Sequence, residues 1–66
     1  MRITVNGDSR EVPAGLSLAG LLTHLDLDAR MIVVEHNRVI VRRPQLAEVH
    51  LSSGDVVELV HFVGGG

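Results

Sequence analysis

Only one stretch of this chain carries a helical apolar stripe. Leu18, Leu21, Leu22 and Leu25 fall at i, i+3, i+4 and i+7, which places them on one face of a helix. Ser17 stands before the stripe as an N-cap whose hydroxyl can accept a first-turn N–H. The other apolar segments alternate or are β-branched, so they read as strands. One helix can cover one face of one sheet. The chain must therefore fold as a single helix on a single sheet and leave the opposite face open.

The strands come in order along the chain. Ile3 and Val5 alternate with Arg2 and Thr4, the period of a half-buried strand. Asn6-Gly7 comes next and suits a type I′ turn, which needs positive φ at both central residues. Arg10 to Val12 is expected to return as the second strand, stopped by Pro13. The helix is expected to end at Asp26-Leu27-Asp28, and Gly20 within it to let the helix lie close on the sheet. Met31 to His36 reads as a central strand, Asn37-Arg38 as a turn, and Val39 to Val41 as a short strand stopped at Arg42-Arg43-Pro44. Gln45 to Val49 reads as a short helical turn. Ser53-Gly54-Asp55 is another turn, and Val56 to Val63 the last and most apolar strand. This is an α+β order. With the first and last strands as parallel neighbours, it is the β-grasp (ubiquitin-like) fold: a mixed four- to five-stranded sheet with one helix on one face. The domain is expected to occupy residues 1–63.

Composition narrows the chemistry. A chain of 66 residues builds one small core and has no room for an enclosed cleft. There is no cysteine, which excludes disulfides, thiolate metal sites and a cysteine nucleophile. There is no lysine among the six basic residues, so no ε-amine can form a Schiff base or accept an isopeptide bond. A net charge of −2 and a single aromatic, Phe62, argue against nucleic acid as a partner. The start Met1-Arg2-Ile3 has no signal pattern and no apolar run is long enough for a membrane. A cytoplasmic protein with no membrane partner is the expectation.

No enzyme site emerges. His24, His36, His50 and His61 are widely spaced without a ligand pattern, so no metal is expected. Asp26 and Asp28 lack the rest of a calcium loop. The serines have no nucleophile-elbow context. The group that stands out is the tail Gly64-Gly65-Gly66. Glycines without a Cβ can thread a narrow channel and bring the Gly66 carboxylate to a partner's reactive centre.

The last strand adds a surface. Val57, Leu59 and His61 point one way; Val56, Glu58, Val60 and Phe62 the other. Glu58 sits badly under a helix, so its side is expected to be the open face. Either Met31, Val33 and Glu35 or Ile32, Val34 and His36 join it. An apolar patch of Val56, Val60, Phe62 and Val63, with Glu58 and with Arg43 as a rim charge, is expected to bind a partner.

These segments resemble the thiamine-biosynthesis sulfur carrier (ThiS) family. The resemblance rests on Ile3-Thr4-Val5-Asn6-Gly7, Leu18 to Leu22, Val33-Val34-Glu35-His36-Asn37, Val39-Ile40-Val41 with Arg43, Gly54 to Val60, and Phe62-Val63-Gly64-Gly65-Gly66. At Arg42-Arg43-Pro44 it departs from the family, whose members often place a proline before the arginine. The resemblance implies a carrier protein rather than an enzyme, with no cofactor of its own. An E1-like adenylyltransferase would use ATP and magnesium to form an acyl-adenylate on Gly66. A sulfur donor protein would convert it to a thiocarboxylate, and thiazole synthase would take the sulfur. A carrier for molybdopterin or cysteine biosynthesis, a protein modifier, and a β-grasp interaction module with an inert tail are the competing readings.

Overall fold

The structure, a computed structural model, describes residues 1–62. Val63, Gly64, Gly65 and Gly66, and with them the expected boundary between domain and tail, lie outside the described residues. The strands are β1 (Arg2–Val5), β2 (Asp8–Glu11), β3 (Ile32–His36), β4 (Val39–Val41) and β5 (Val56–His61), and the helix α1 spans Leu18–His24. They form one sheet in the order β2-β1-β5-β3-β4. β1 and β5 are parallel, and the other neighbours antiparallel. This is the expected β-grasp, with β5 at the centre.

Both hairpins turn on an asparagine. Asn6 and Gly7 have φ of 50° and 84°, and Asn37 and Arg38 of 48° and 70°, as a type I′ turn requires. The two-residue loop sets Val5 opposite Asp8. β2 therefore begins two residues before the expected Arg10 and ends at Glu11, while Val12 is buried beyond it. The side chain of each asparagine then bonds into β5. Asn6 Oδ1 accepts from Leu59 N–H at 2.7 Å and its Nδ2 donates to the Leu59 carbonyl at 3.1 Å. Asn37 Oδ1 accepts from Val56 N–H at 2.9 Å. Main-chain pairing between β1 and β5 thus continues through a side chain after β1 has turned away.

The helix is enclosed at both ends. Ser17 Oγ accepts from Gly20 N–H at 3.0 Å. The Leu18 and Ala19 N–H groups donate to the Val49 and Leu46 carbonyls, both at 2.9 Å. First-turn donors that would otherwise be orphaned are met by the segment after β4, whose Leu46 and Leu51 enter the core. At the other end Asp26, at φ 60°, closes a Schellman motif: Leu27 N–H donates to Leu22 O, and Asp26 N–H to Thr23 O. The helix therefore stops before Leu25, which is half-buried at its cap. A Cβ on Gly20 would meet Leu16 Cδ2 at 3.1 Å. Its missing side chain makes room for the connector, not, as expected, for the sheet.

Three further boundaries differ from expectation. Met31 belongs to a 3₁₀ turn, Ala29–Met31, because Asp28 Oδ1 accepts from Arg30 N–H at 2.9 Å and caps it. The turn expected at Gln45 begins at Arg43 (Arg43–Gln45), since Pro44 lacks only an N–H that a first turn leaves unpaired. β5 ends at His61, although Phe62 N–H still donates to the Met31 carbonyl at 3.0 Å.

The core is wholly aliphatic, built on Ile3, Leu18, Leu21, Leu22, Val34 and Val57. Seven helical residues span roughly 10 Å, whereas the six of β5 span roughly 20 Å. The helix roofs the middle of the sheet, so Val57 is fully buried, Leu59 half-buried and His61 exposed.

Asn6→Ala loses a residue tolerant of positive φ and two hydrogen bonds to Leu59. It should lower stability by about 1–3 kcal/mol in urea unfolding, and Asn6→Gly should recover only the part that belongs to the turn. Arg38 holds φ 70° without asparagine or glycine chemistry. Arg38→Gly should raise the unfolding free energy by about 0.5 kcal/mol, read as a higher denaturant midpoint at unchanged slope.

Candidate functional site

Alternation along β5 decides which face is open. Val57 is buried, while Val56, Val60 and Phe62 are 43%, 58% and 41% exposed. On β3, Ile32 and Val34 are buried and Val33 is exposed, so the set containing Val33 and Glu35 faces outward. Glu58 lies on the open face, opposite Glu35 on the neighbouring strand. Two like charges directly across a strand pair repel.

The expected patch is gathered only in part. Val60 pairs with Val33 across the strands. Phe62, Val33, Ile40, Arg42, Arg43 and Pro44 line one open groove of about 470 Å³. Arg43 therefore shares a groove with Phe62, although nineteen positions separate them in the chain. Val56 is elsewhere. It starts β5, next to Thr4 and Asn37, roughly 20 Å along the strand from Phe62 at about 3.3 Å per residue. Val63 and the three glycines fall beyond the described residues.

The charges around this groove are unequal. Arg30 forks onto Asp28, with Nη2 to Oδ2 at 2.8 Å and Nε to Oδ1 at 3.1 Å. Those bonds hold the Asp28 carboxyl down at about 2. Arg42 and Arg43 have no carboxylate partner among the described residues.

Two clusters were invisible to spacing along the chain. The first joins His36 to Asp55, Nε2 to Oδ2 at 2.7 Å, with both side chains mostly buried. Asp55 also accepts from Ser52 N–H at 2.9 Å and Asn37 Nδ2 at 3.2 Å. Burial pushes the Asp55 carboxyl up, but the bonds from His36, Ser52 and Asn37 outweigh it and hold the group below its ordinary value. Among the described residues no hydroxyl bonds to the His36 ring, and the cluster clamps the turn before β5 onto the turn after β3. The second is a groove of about 500 Å³ on the helix side, where Arg10, His24 and His61 surround Leu25, Leu27 and Leu59. It exists because the short helix leaves that end of the sheet unroofed. Among the described residues no three histidine or acidic side chains are close enough to hold a metal ion. Nor is any helix among them long and apolar enough to cross a membrane.

A depressed carboxyl contributes stability above its unfolded value, near 3.9, and that contribution is lost as pH falls through the lower folded value. Stability should therefore decline below about pH 4. Asp55→Asn should flatten that decline while leaving the variant less stable at pH 7, measured by urea unfolding across the range.

Known proteins give a consistent comparison. The model of the ThiS family matches residues 3–66. The sulfur carrier protein ThiS of Bacillus subtilis is 40% identical over 50 residues, which cover 76% of each chain. A crystal structure of the thiamine biosynthesis protein (ThiS) from Geobacter metallireducens superposes over the full length of both chains, with a TM-score of 0.87 and 33% identity. A thiazole synthase of Paramagnetospirillum magneticum is 38% identical over all 66 residues. The chain spans 20% of that protein's length, and the same share of a second thiazole synthase, from Magnetococcus marinus.

Proposed function

Because this chain belongs to the ThiS family, we propose that it carries sulfur for the thiazole ring of thiamine on its C-terminal glycine. The observation that carries the reading is the course of the last strand. β5 lies at the centre of the sheet, presents Val60 and Phe62 outward, and leads in sequence through Val63 into Gly64-Gly65-Gly66 with no spacer. A folded body is thus joined in sequence to a tail without side chains.

The chemistry suits that tail. A carboxylate is a poor electrophile. An E1-like adenylyltransferase with ATP and magnesium lets a Gly66 carboxylate oxygen attack the α-phosphorus and expel pyrophosphate. The persulfide sulfur of a donor protein then attacks the acyl carbon and displaces AMP. A thiol cleaves the resulting S–S bond, and the thiocarboxylate remains on Gly66. Thiazole synthase consumes that sulfur. Activation divides one difficult substitution into two easier ones. With no cysteine in the chain, a side-chain persulfide is not available, so the carrier acts as a co-substrate rather than an enzyme. Gly64 and Gly65 thread the partner's channel. The body docks through the groove beside Val60 and Phe62, with Glu58, Val63 and Arg43 around it and Val56 at its far margin. The cytoplasm supplies these partners.

A second reading comes from the thiazole synthase relatives, of which this chain covers a fifth. The same fold can serve as the carrier segment of a longer protein, with the glycines joining it to a neighbouring domain.

The intact mass of the protein from its native host separates these readings. A species in which one oxygen is replaced by sulfur, mapped to Gly66, supports the carrier; a longer polypeptide supports the joined segment; an unmodified chain after incubation with the adenylating enzyme, ATP and a persulfide donor removes both. Gly65→Val should leave folding unchanged and suppress thiocarboxylate formation at least about tenfold, because a Cβ blocks a channel fitted to glycine. Val60→Asp should weaken docking to the adenylating enzyme by about 1–3 kcal/mol, read as dissociation constant by calorimetry.

A further inference from the structure

The sheet has two edges, and they are built differently. β2 is Asp8-Ser9-Arg10-Glu11, exposed and polar throughout, the kind of edge that discourages pairing. β4 is Val39-Ile40-Val41, with Val39 63% and Ile40 64% exposed. Its main chain faces outward at Ile40. On β3 the odd-numbered residues bond to β5, as Met31 O and Asn37 N–H show at the two ends. The even-numbered ones therefore turn toward β4, where His36 faces Val39 and Val34 faces Val41. Alternation then directs the N–H and C=O of Ile40 away from the sheet. The N–H of Arg42, which is extended at φ −74° and ψ 152°, points the same way.

Charge selects what can pair there. Arg38 precedes this strand and Arg42 and Arg43 come after it; none is in an ion pair among the described residues, although the charge of Arg43 reaches Asp28 and Glu35 lies across from Ile40. In a chain of net charge −2 this is a local concentration of positive charge. A second copy pairing antiparallel about Ile40 would set Arg38 against Arg42 at both ends, which repels. An extended segment with carboxylates at its ends meets attraction at both. The groove of about 470 Å³ beside Ile40 accepts one apolar side chain from such a segment.

We propose that the β4 edge is a docking site for an extended segment of a partner protein, apolar at its centre and bracketed by aspartate or glutamate, which adds as a further strand. The site shares its groove with the docking face proposed above but is distinct from the tail, and would operate whether or not Gly66 carries sulfur.

The test is a titration of the ¹⁵N-labelled full chain with a capped synthetic peptide of valine and isoleucine flanked on each side by two glutamates. Amide shifts should centre on Ile40 and Arg42, and the Ile40 N–H should gain protection from hydrogen exchange. A peptide flanked by glutamines should bind about tenfold more weakly, as should the Arg42→Glu variant. Ile40→Pro removes the outward donor, which an edge position tolerates, and should abolish the peptide-induced shift of the Arg42 N–H while the spectrum without peptide stays native. Equal binding of the glutamine peptide, or shifts confined to Val60 and Phe62, would overturn the proposal. So would sedimentation showing that the unmodified chain dimerises through β4. Loss of thiocarboxylate formation in the Gly65→Val variant would leave the peptide result unchanged, so the two readings fail separately.

Discussion

Everything in this domain hangs on β5 and on what its main chain bonds to. It is the sheet's central strand, parallel to β1 on one side and antiparallel to β3 on the other. The parallel ladder is short, with Thr4 opposite Val56 and Val5 opposite Val57. Asn6 extends it by offering its side-chain amide to Leu59 as a strand residue would offer its backbone. Asn37 does the same for the Val56 N–H at the strand's start. One residue type thus makes each turn and supplies bonds to the centre of the sheet. This joins residues more than fifty positions apart, which a chain without disulfides must achieve through non-local pairing alone.

That arrangement explains the surface as well. With the centre strand fixed, a helix of seven residues can roof only part of one face. Val57 disappears beneath it, while Val60 and Phe62 emerge on the other side and His61 at the unroofed end. The same strand therefore presents an apolar surface on one face and a groove with Arg10, His24 and His61 on the other. The two adjacent glutamates, Glu35 and Glu58, keep the exposed sheet from being uniformly apolar.

Local chemistry was legible in the chain wherever it is local in space. The Asn-Gly turn, the Ser17 cap and the leucine stripe each depend on residues within a few positions, and each appears where expected. The sheet's open face could also be read, because period-2 alternation ties it to the one charged residue, Glu58. Boundaries shifted where an aspartate made local bonds that interrupt the apolar pattern. Asp28 capping a 3₁₀ turn took Met31 out of β3, and Asp26 in a left-handed conformation stopped the helix before Leu25.

The sequence by itself determined the fold class, since one amphipathic helix among half-buried strands has few ways to bury a single aliphatic core. It also determined the tail, since three glycines with no side chain are a property of composition. Only the tertiary structure decided how distant groups are placed: His36 bonded to Asp55, Arg43 and Phe62 on one groove, and Val56 set apart from the groove it was expected to join. The reason is geometric. Side-chain direction along a strand comes from a period of two, but which strands are neighbours depends on pairing across the whole chain, and no local pattern encodes that distance.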